Sequence, residues 1–511
     1  MNTMTIDVPR QPTFNRRLLL ASSGAIGIGM ALRRGTVAQT PAALLDELVI
    51  DLSSEPASIA PGLVYEPNGW SITNAIFDAL WEYDDSGNLV MVGAESLEWP
   101  DAMTMMIKLR AGQLFHDGSP VTSGSIVASW QQVVAKETGS SIAGNFGTIT
   151  AIEAVNDLTA QVTLNSPSPW LPAQIAAWMP LINPATPDAA GTSAQPNGSG
   201  PYSFVEWVSG DHIKLAANPA YSSPVKGQPI ASKVTFRFVT EGSTRVADLN
   251  SGTAQLIRSV PVDSLDSVRD KGNVVVETPV SGVAFVRIAT DTPPFDDVRV
   301  RQALNYAVDV DTIRTALLDD TGQRLPNLFP PGGMGFDAAL PPYSFDPDKA
   351  KSLLKDAGVS GLETTIAVTN SERKDIVEAI AGYLSDIGIK TDVQVQEIAT
   401  FNAEWADPKA APLRFASWRP MFDPFNLLFL VFGQGGYLSR YSDGDVQSSI
   451  AAAASENDPK ARAIAYQELG KQLTASPGAI YLWNLSSIYG AAPNLSWTPR
   501  PDDAIVPTDA A

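Results

Sequence analysis

Residues 293–313, PPFDDVRVRQALNYAVDVDTI, constrain the fold most, because they set a turn, a helix start and a buried helix face in one order. Pro294 stops the extended segment before it. The Asp296/Asp297 pair offers side-chain acceptors to the free N–H groups of a new helix, whose first turn also favours negative charge. Leu304, Ala307 and Val308 then fall on one face, which predicts a helix packed against a core.

The same punctuation recurs along the chain. Asp346 caps a helix that has Pro347 at its first position and Gly358 just past its end. Residues 364–369 alternate as a strand, Ile376, Ile380, Leu384 and Ile387 make a helical stripe closed by Gly388, and residues 389–395 alternate again. That order is a βαβ unit. Earlier, residues 48–52 form an apolar strand, and residues 54–70 read as a Pro/Gly/Asn-rich loop carrying Tyr65 and Trp70 into the next helix. In residues 125–134, Ile126, Val127, Trp130, Val133 and Val134 sit at helical spacing and are assigned to the core. Helix and strand both break in residues 182–200, rich in Pro, Ala, Gly, Ser and Asn, so a boundary is placed there. A second crossing is expected at 278–285, where a Val-rich strand ends in Pro279 and Gly282, and a return crossing near 476–478.

A chain of 511 residues with 44% hydrophobic residues buries large cores and suggests several domains. The first 38 residues carry five Arg and one Asp, so the remainder has 30 basic and 54 acidic residues and a formal charge of −24. That argues against nucleic acid as a partner. Cysteine is absent, which excludes disulfides, thiol catalysis and an acylated N-terminal Cys, and with it a lipid anchor. Arg16 and Arg17 precede an apolar run at 18–32 and small residues at 36–38, so residues 1–38 read as an export signal of the twin-arginine type, removed to leave a soluble periplasmic protein. Arg33 and Arg34 disfavour the general secretory route, although Asn15 and Leu19 depart from the preferred twin-arginine residues. No later run reaches the roughly 20 apolar residues of a membrane helix.

Residues 293–313 resemble the PPFDDVRVRQALNYAID element of the family 5 (cluster C) solute-binding proteins of ABC importers, the dipeptide, oligopeptide and nickel binders. Four further segments resemble that family in its own order: residues 88–99 (NLVMVGAESLEW), 107–121 (IKLRAGQLFHDGSPV), 198–221 (GSGPYSFVEWVSGDHIKLAANPAY) and 343–358 (YSFDPDKAKSLLKDAG). The resemblance implies a two-lobed α/β periplasmic-binding-protein-like fold (class II, cluster C) with an extra domain inserted in the first lobe. Domain I would comprise residues 44–77, 198–282 and 479–511, domain II residues 78–197, and domain III residues 283–478. It further implies capture of a small solute for delivery to separate permease and ATPase subunits by a monomeric receptor, with peptides leading and opines, sugar conjugates or chelated nickel as alternatives.

Catalytic signatures are missing: there is no G-x-S-x-G, H-E-x-x-H or G-x-x-x-x-G-K-[ST]. A secreted hydrolase is the alternative from another class; no enzyme activity, cofactor or metal is expected. Only two histidines exist. His116 lies in a family-like FHDG turn and reads as structural, and His212 as exposed. The leading site candidate is the aromatic loop at 415–425, FASWRPMFDPF. In the family this loop faces the cleft. Oligopeptide binders place an Asp three residues after the Trp, and here that position is Met421. The spacing from Trp418 to Asp423 resembles the nickel branch, in which the Trp and an aromatic at the place of Phe422 enclose the ligand, yet Gly436 stands where that branch has a His. Arg419 offers planar bidentate donors to a ligand carboxylate or phosphate, or to Asp423. Arg287 is a second cationic candidate, in a strand where the family shows a small or apolar residue. Tyr65, Trp70, Trp405 and Trp483 are candidate stacking surfaces.

Overall fold

Two long antiparallel strands, Val274–Ile288 and Ala479–Ala491, organise the computed structural model, which describes residues 44–186, 188–223, 225–418, 423–436 and 438–508. They pair from Val274 opposite Ala491 to Arg287 opposite Ala479. The ten-stranded sheet around them reads Lys390–Gln396, Glu363–Thr369, Leu413–Trp418, Val274–Ile288, Ala479–Ala491, Leu256–Arg258, Leu48–Leu52, Lys233–Phe238, His212–Ala217, Tyr202–Val208. Opposite ends of the central pair carry the two halves. Residues 489–491 hold Leu256–Arg258, while residues 283–288 hold Leu413–Trp418.

Between those ends the ladder slips, with register shifts between Pro279 and Val283 and again between Val283 and Phe285. Proline lacks the N–H a ladder needs, and a bulge bends its strand. The sequence placed a strand end at Pro279 and Gly282. The structure corrects this: the strand runs on to Ile288, because Ala479–Ala491 supplies a partner beyond the bulge.

The half beyond the bulge follows the expected pattern. Glu363–Thr369 and Lys390–Gln396 are parallel neighbours joined through the helix Lys374–Asp386. Asp297 caps the helix Val298–Ala307 by accepting from the Arg299 N–H at 2.8 Å, and Leu304 and Ala307 are buried. Asp309, Asp346, Asp423, Asp443 and Asp458 cap five further helices in the same way. Part of the acidic excess therefore serves helix starts, each worth about 1 kcal/mol.

In the other half, residues 54–70 are not all loop. A helix begins at Pro67 (Pro67–Ile76), because the Glu66 carboxylate accepts from the N–H groups of Asn68 and Gly69 and proline suits the first turn. Trp70 is consequently a buried helical residue. A separate four-stranded antiparallel sheet (Ala94–Asp101, Thr104–Leu109, Thr159–Leu164, Ile149–Asn156) has its own core, into which Ile126, Val133, Trp170 and Trp178 pack. The glycine-rich stretch after it docks closely: a Cβ on Gly198 would lie 2.0 Å from the Ile76 carbonyl oxygen. His116 fastens the same place through its backbone N–H to Gly198 and its Nε2 to the Gly200 carbonyl at 3.1 Å. His212, expected on the surface, is instead largely covered and lies between the Asp211 and Glu206 carboxylates.

Buried charge clusters where the four-stranded part meets the large sheet. Lys226 Nζ lies 2.9 Å from Asp78 Oδ1 and 2.8 Å from Glu82 Oε1, and the Tyr221 hydroxyl donates to Asp78. Burial lifts the Asp78 pKa to about 6 against the pull of Lys226. Burial also works to lower the Lys226 pKa, but the two carboxylates outweigh it and raise it. Lys226→Met removes the only cation of this group and leaves two buried carboxylates, so it should cost about 3–5 kcal/mol. Without Lys226 the folded Asp78 pKa rises further above its unfolded one. The folded variant then binds protons more tightly than the unfolded chain, and its deficit is smallest near pH 4 and grows as pH rises through 6. Melting curves of both proteins at pH 4.5 and 8 check this; an equal deficit at the two pH values contradicts it.

Candidate functional site

The strand Leu413–Trp418 ends beside the hinge bulge, with Trp418 opposite Val283. The chain resumes at Asp423, whose carboxylate accepts from the Phe425 N–H at 2.9 Å and so starts the helix Pro424–Phe432. The same Oδ1 accepts from Arg462 Nη2 at 2.7 Å, and both side chains are buried. Tyr466 accepts a further Arg462 hydrogen bond at 3.3 Å and lies under the guanidinium. Asp423 is thus tied to a neighbouring helix rather than held free for a solute. Arg419, Met421 and Phe422 lie outside the described residues, so the expected Arg419–Asp423 pair does too.

The Pro424–Phe432 helix reaches across to the part that carries the four-stranded sheet. Phe425 stacks on Trp170 with ring centroids 4.4 Å apart and planes 27° from parallel, and Asn426 Nδ2 donates to Asn145 Oδ1 at 2.8 Å. A cavity of about 10 Å³, room for about one water, is lined by Trp70, Asn74, Glu82, Tyr83, Arg500 and Asp502, all outside residues 283–478. Solute pockets are roughly 300–1,000 Å³, so this cavity as it stands admits no solute.

Charged residues line this cavity. Burial first, then the Asp423 and Asp502 carboxylates, hold the Tyr83 pKa well above its ordinary value. Arg500 and Asp502 form a two-pronged pair, Nε to Oδ1 at 3.0 Å and Nη2 to Oδ2 at 2.5 Å. The chain that bears them is anchored by Arg258, which pairs with Asp503 at 2.9 Å, and by the Ile505 N–H donating to Ser71. Ser281 in the hinge bulge donates its N–H to the Pro501 carbonyl at 2.7 Å. Hinge, C-terminal segment and cavity wall are therefore in direct contact.

Of the residues singled out in the sequence, the structure brings Trp70 to the cavity wall, and Asp423 acts electrostatically on Tyr83 of that wall. Trp418 is half-buried at the bulge and packs on the adjoining core. Trp405 is buried in that core, edge-on to Phe401, and Arg287 is buried against it. Trp483 belongs to the core on the sheet's other face, and Tyr65 is exposed and does not line the cavity. The reason is strand alternation: residues 283, 285 and 287 share one covered face. Sequence reasoning missed Asn74, Tyr83, Arg500 and Asp502. Asn74 was legible one helical turn beyond Trp70; Arg500 and Asp502 were not, because only long-range packing brings the C-terminus there. Among the described residues no cluster of His, Asp and Glu suits a metal ion, and no helix is long and apolar enough to cross a membrane.

Two half-sheets carried on one bulged strand pair define the two-lobed fold of solute-binding proteins. The chain belongs to the bacterial extracellular solute-binding proteins, family 5, whose middle-region model matches residues 88–439. It is 25% identical over 503 residues to the glutathione-binding protein GsiB of Pectobacterium atrosepticum, covering 92% of this chain and 93% of that one. The periplasmic binding protein DppA of Helicobacter pylori, solved with the peptide STSA, superposes with a TM-score of 0.76 at 22% identity over 91% of this chain and 97% of that one. NikZ of Campylobacter jejuni, solved with Ni(L-His), gives 0.75 at 21% identity over 91% and 97%.

Asp423→Asn keeps the helix cap but strands the Arg462 charge, which should cost about 3 kcal/mol. Adding Arg462→Met should recover most of the loss. Thermal unfolding of the two variants tests this; a double variant no better than the single one contradicts the ion-pair role.

Proposed function

We propose that this chain is the periplasmic receptor of an ABC importer, capturing a peptide-like solute between its lobes and handing it to separate permease and ATPase subunits. The observation that carries the reading is the contact of Phe425 and Asn426 with Trp170 and Asn145, which joins two halves hung on one bulged strand pair. Domain I would be residues 44–77, 198–282 and 479–511, domain II residues 78–197 and domain III residues 283–478, so the bulge sits at the junction of the first and the third. Residues 1–38 would direct export and be removed, and the receptor would act as a monomer.

Function then follows from differential contact. Solute contacts made by both sides exist only in the closed form, so binding shifts the hinge equilibrium and the permease meets a distinct loaded shape. A 100-fold preference for the closed form, about 2.7 kcal/mol, suffices to bias it visibly. Capture proceeds without chemical change, since no nucleophile, base and metal constellation stands in the sequence. The glutathione-binding relative supports a peptide-like solute over a nickel chelate, because the nickel branch's His is Gly436 here. Trp418, Arg419, Phe422, Trp70 and Tyr83 form the proposed contact set.

Native mass spectrometry of the protein purified from its own host should retain a solute of peptide-like mass, and glutathione or dipeptides should raise the melting temperature. Trp418→Ala should weaken solute binding about 10-fold or more, with little change in the melting temperature of the solute-free protein. Unchanged affinity with a large loss of stability would assign Trp418 to packing, and turnover of a bound solute would favour an enzyme.

A further inference from the structure

Arg287 and Arg414 stand directly opposite each other on neighbouring antiparallel strands, and both side chains are fully covered at 1% and 0% exposure. Like charges in that position repel, and a buried charge ordinarily has a counter-charge. Arg287 has none within ion-pair distance among the described residues. Its Nη2 donates to the Trp405 carbonyl at 3.2 Å, and its Nε and Nη1 have no hydrogen-bond partner. Arg414 donates through Nη2 to the Phe401 carbonyl at 2.6 Å and to Gln396 at 3.3 Å, while its Nε and Nη1 are likewise unpartnered.

The surrounding carboxylates do not restore neutrality. Glu404 Oε2 is 3.7 Å from Arg414 Nη1, beyond hydrogen-bond reach, and also accepts from Gln396. Asp291 is held by Arg440 through two hydrogen bonds, at 3.2 and 2.8 Å. Three guanidinium groups therefore share two carboxylates. Both Arg287 and Arg414 sit 5.4 Å from the centroid of the same Trp405 ring, and Arg414 also lies 4.1 Å from the Phe401 ring centroid. Burial, then Arg414 and Arg440, push the Arg287 pKa down to about 9, consistent with an unmatched positive charge.

We propose that the unpartnered N–H groups of Arg287 and Arg414 hold a small monovalent anion the size of chloride, as a buried structural ion of the lobe that carries Trp418. This site is separate from the solute cavity and independent of solute identity. The anion supplies the missing negative charge and accepts from donors that the protein leaves unused.

The test uses the full purified chain, dialysed free of halide. Its melting temperature should rise by about 1–2 °C or more when sodium chloride or bromide is added, compared with sodium gluconate at equal ionic strength. Arg287→Met should abolish the difference. Crystals grown in bromide should show an anomalous peak between the two guanidinium groups, which decides the matter if the variant does not fold. Identical melting in halide and gluconate, an undiminished halide response in the variant, or no anomalous peak would overturn the proposal and leave the rings and carbonyls as the only compensation.

Discussion

Everything in this molecule hangs from one antiparallel strand pair that is long enough to belong to two bodies at once. Residues 489–491 are committed to one half-sheet and residues 283–288 to the other, so the segment between must carry any relative motion. That segment contains Pro279 and Gly282 and is where the register slips. A regular ladder there would resist bending with every hydrogen bond; a bulge concentrates the bend and leaves the ladders on either side intact. The same bulge touches the C-terminal segment through Ser281 and Pro501, next to the Arg500–Asp502 pair of the cavity wall. Bulge and cavity wall are thus neighbours.

Charge is arranged with the same economy. The chain is strongly acidic, yet many of its aspartates have local tasks as helix caps, and the buried cations Lys226, Arg258 and Arg462 each have a carboxylate within 3 Å. Against that background Arg287 stands out, a buried cation matched by one aromatic ring and one carbonyl, with its Nε and Nη1 unpartnered.

Local physics made much of the fold legible in the sequence. The caps at Asp297 and Asp346, the glycine stops at Gly358 and Gly388 and the βαβ periodicity after residue 363 all involve residues within one or two turns of one another. Errors arose where a distant partner overrides a local signal. Pro279 and Gly282 end most strands, but a long partner strand carries this one onward. Glu66 and Pro67 start a helix inside what looked like loop composition. For the site the contrast is sharper: Trp70 and Asp423 were visible as an aromatic near a turn and an acid before a proline, whereas Arg500 and Asp502 acquire meaning only when residues more than 400 positions apart meet, as Ser71 and Ile505 do. Arg287 and Trp405 were visible as chemistry, but only strand alternation shows which face they occupy.

Because the chain lacks cysteine, two spin labels can be placed cleanly, one at Glu153→Cys on the exposed edge of the four-stranded sheet and one at Ser448→Cys on the Gly444–Ser455 helix. Their distance distribution, measured with the solute stripped away and again after adding the small-molecule extract of the host, reports lobe closure directly. The account predicts a broad or two-component distribution that collapses to its shorter distance on loading. Superimposable distributions, in a sample shown by mass spectrometry to have taken up solute, would contradict it.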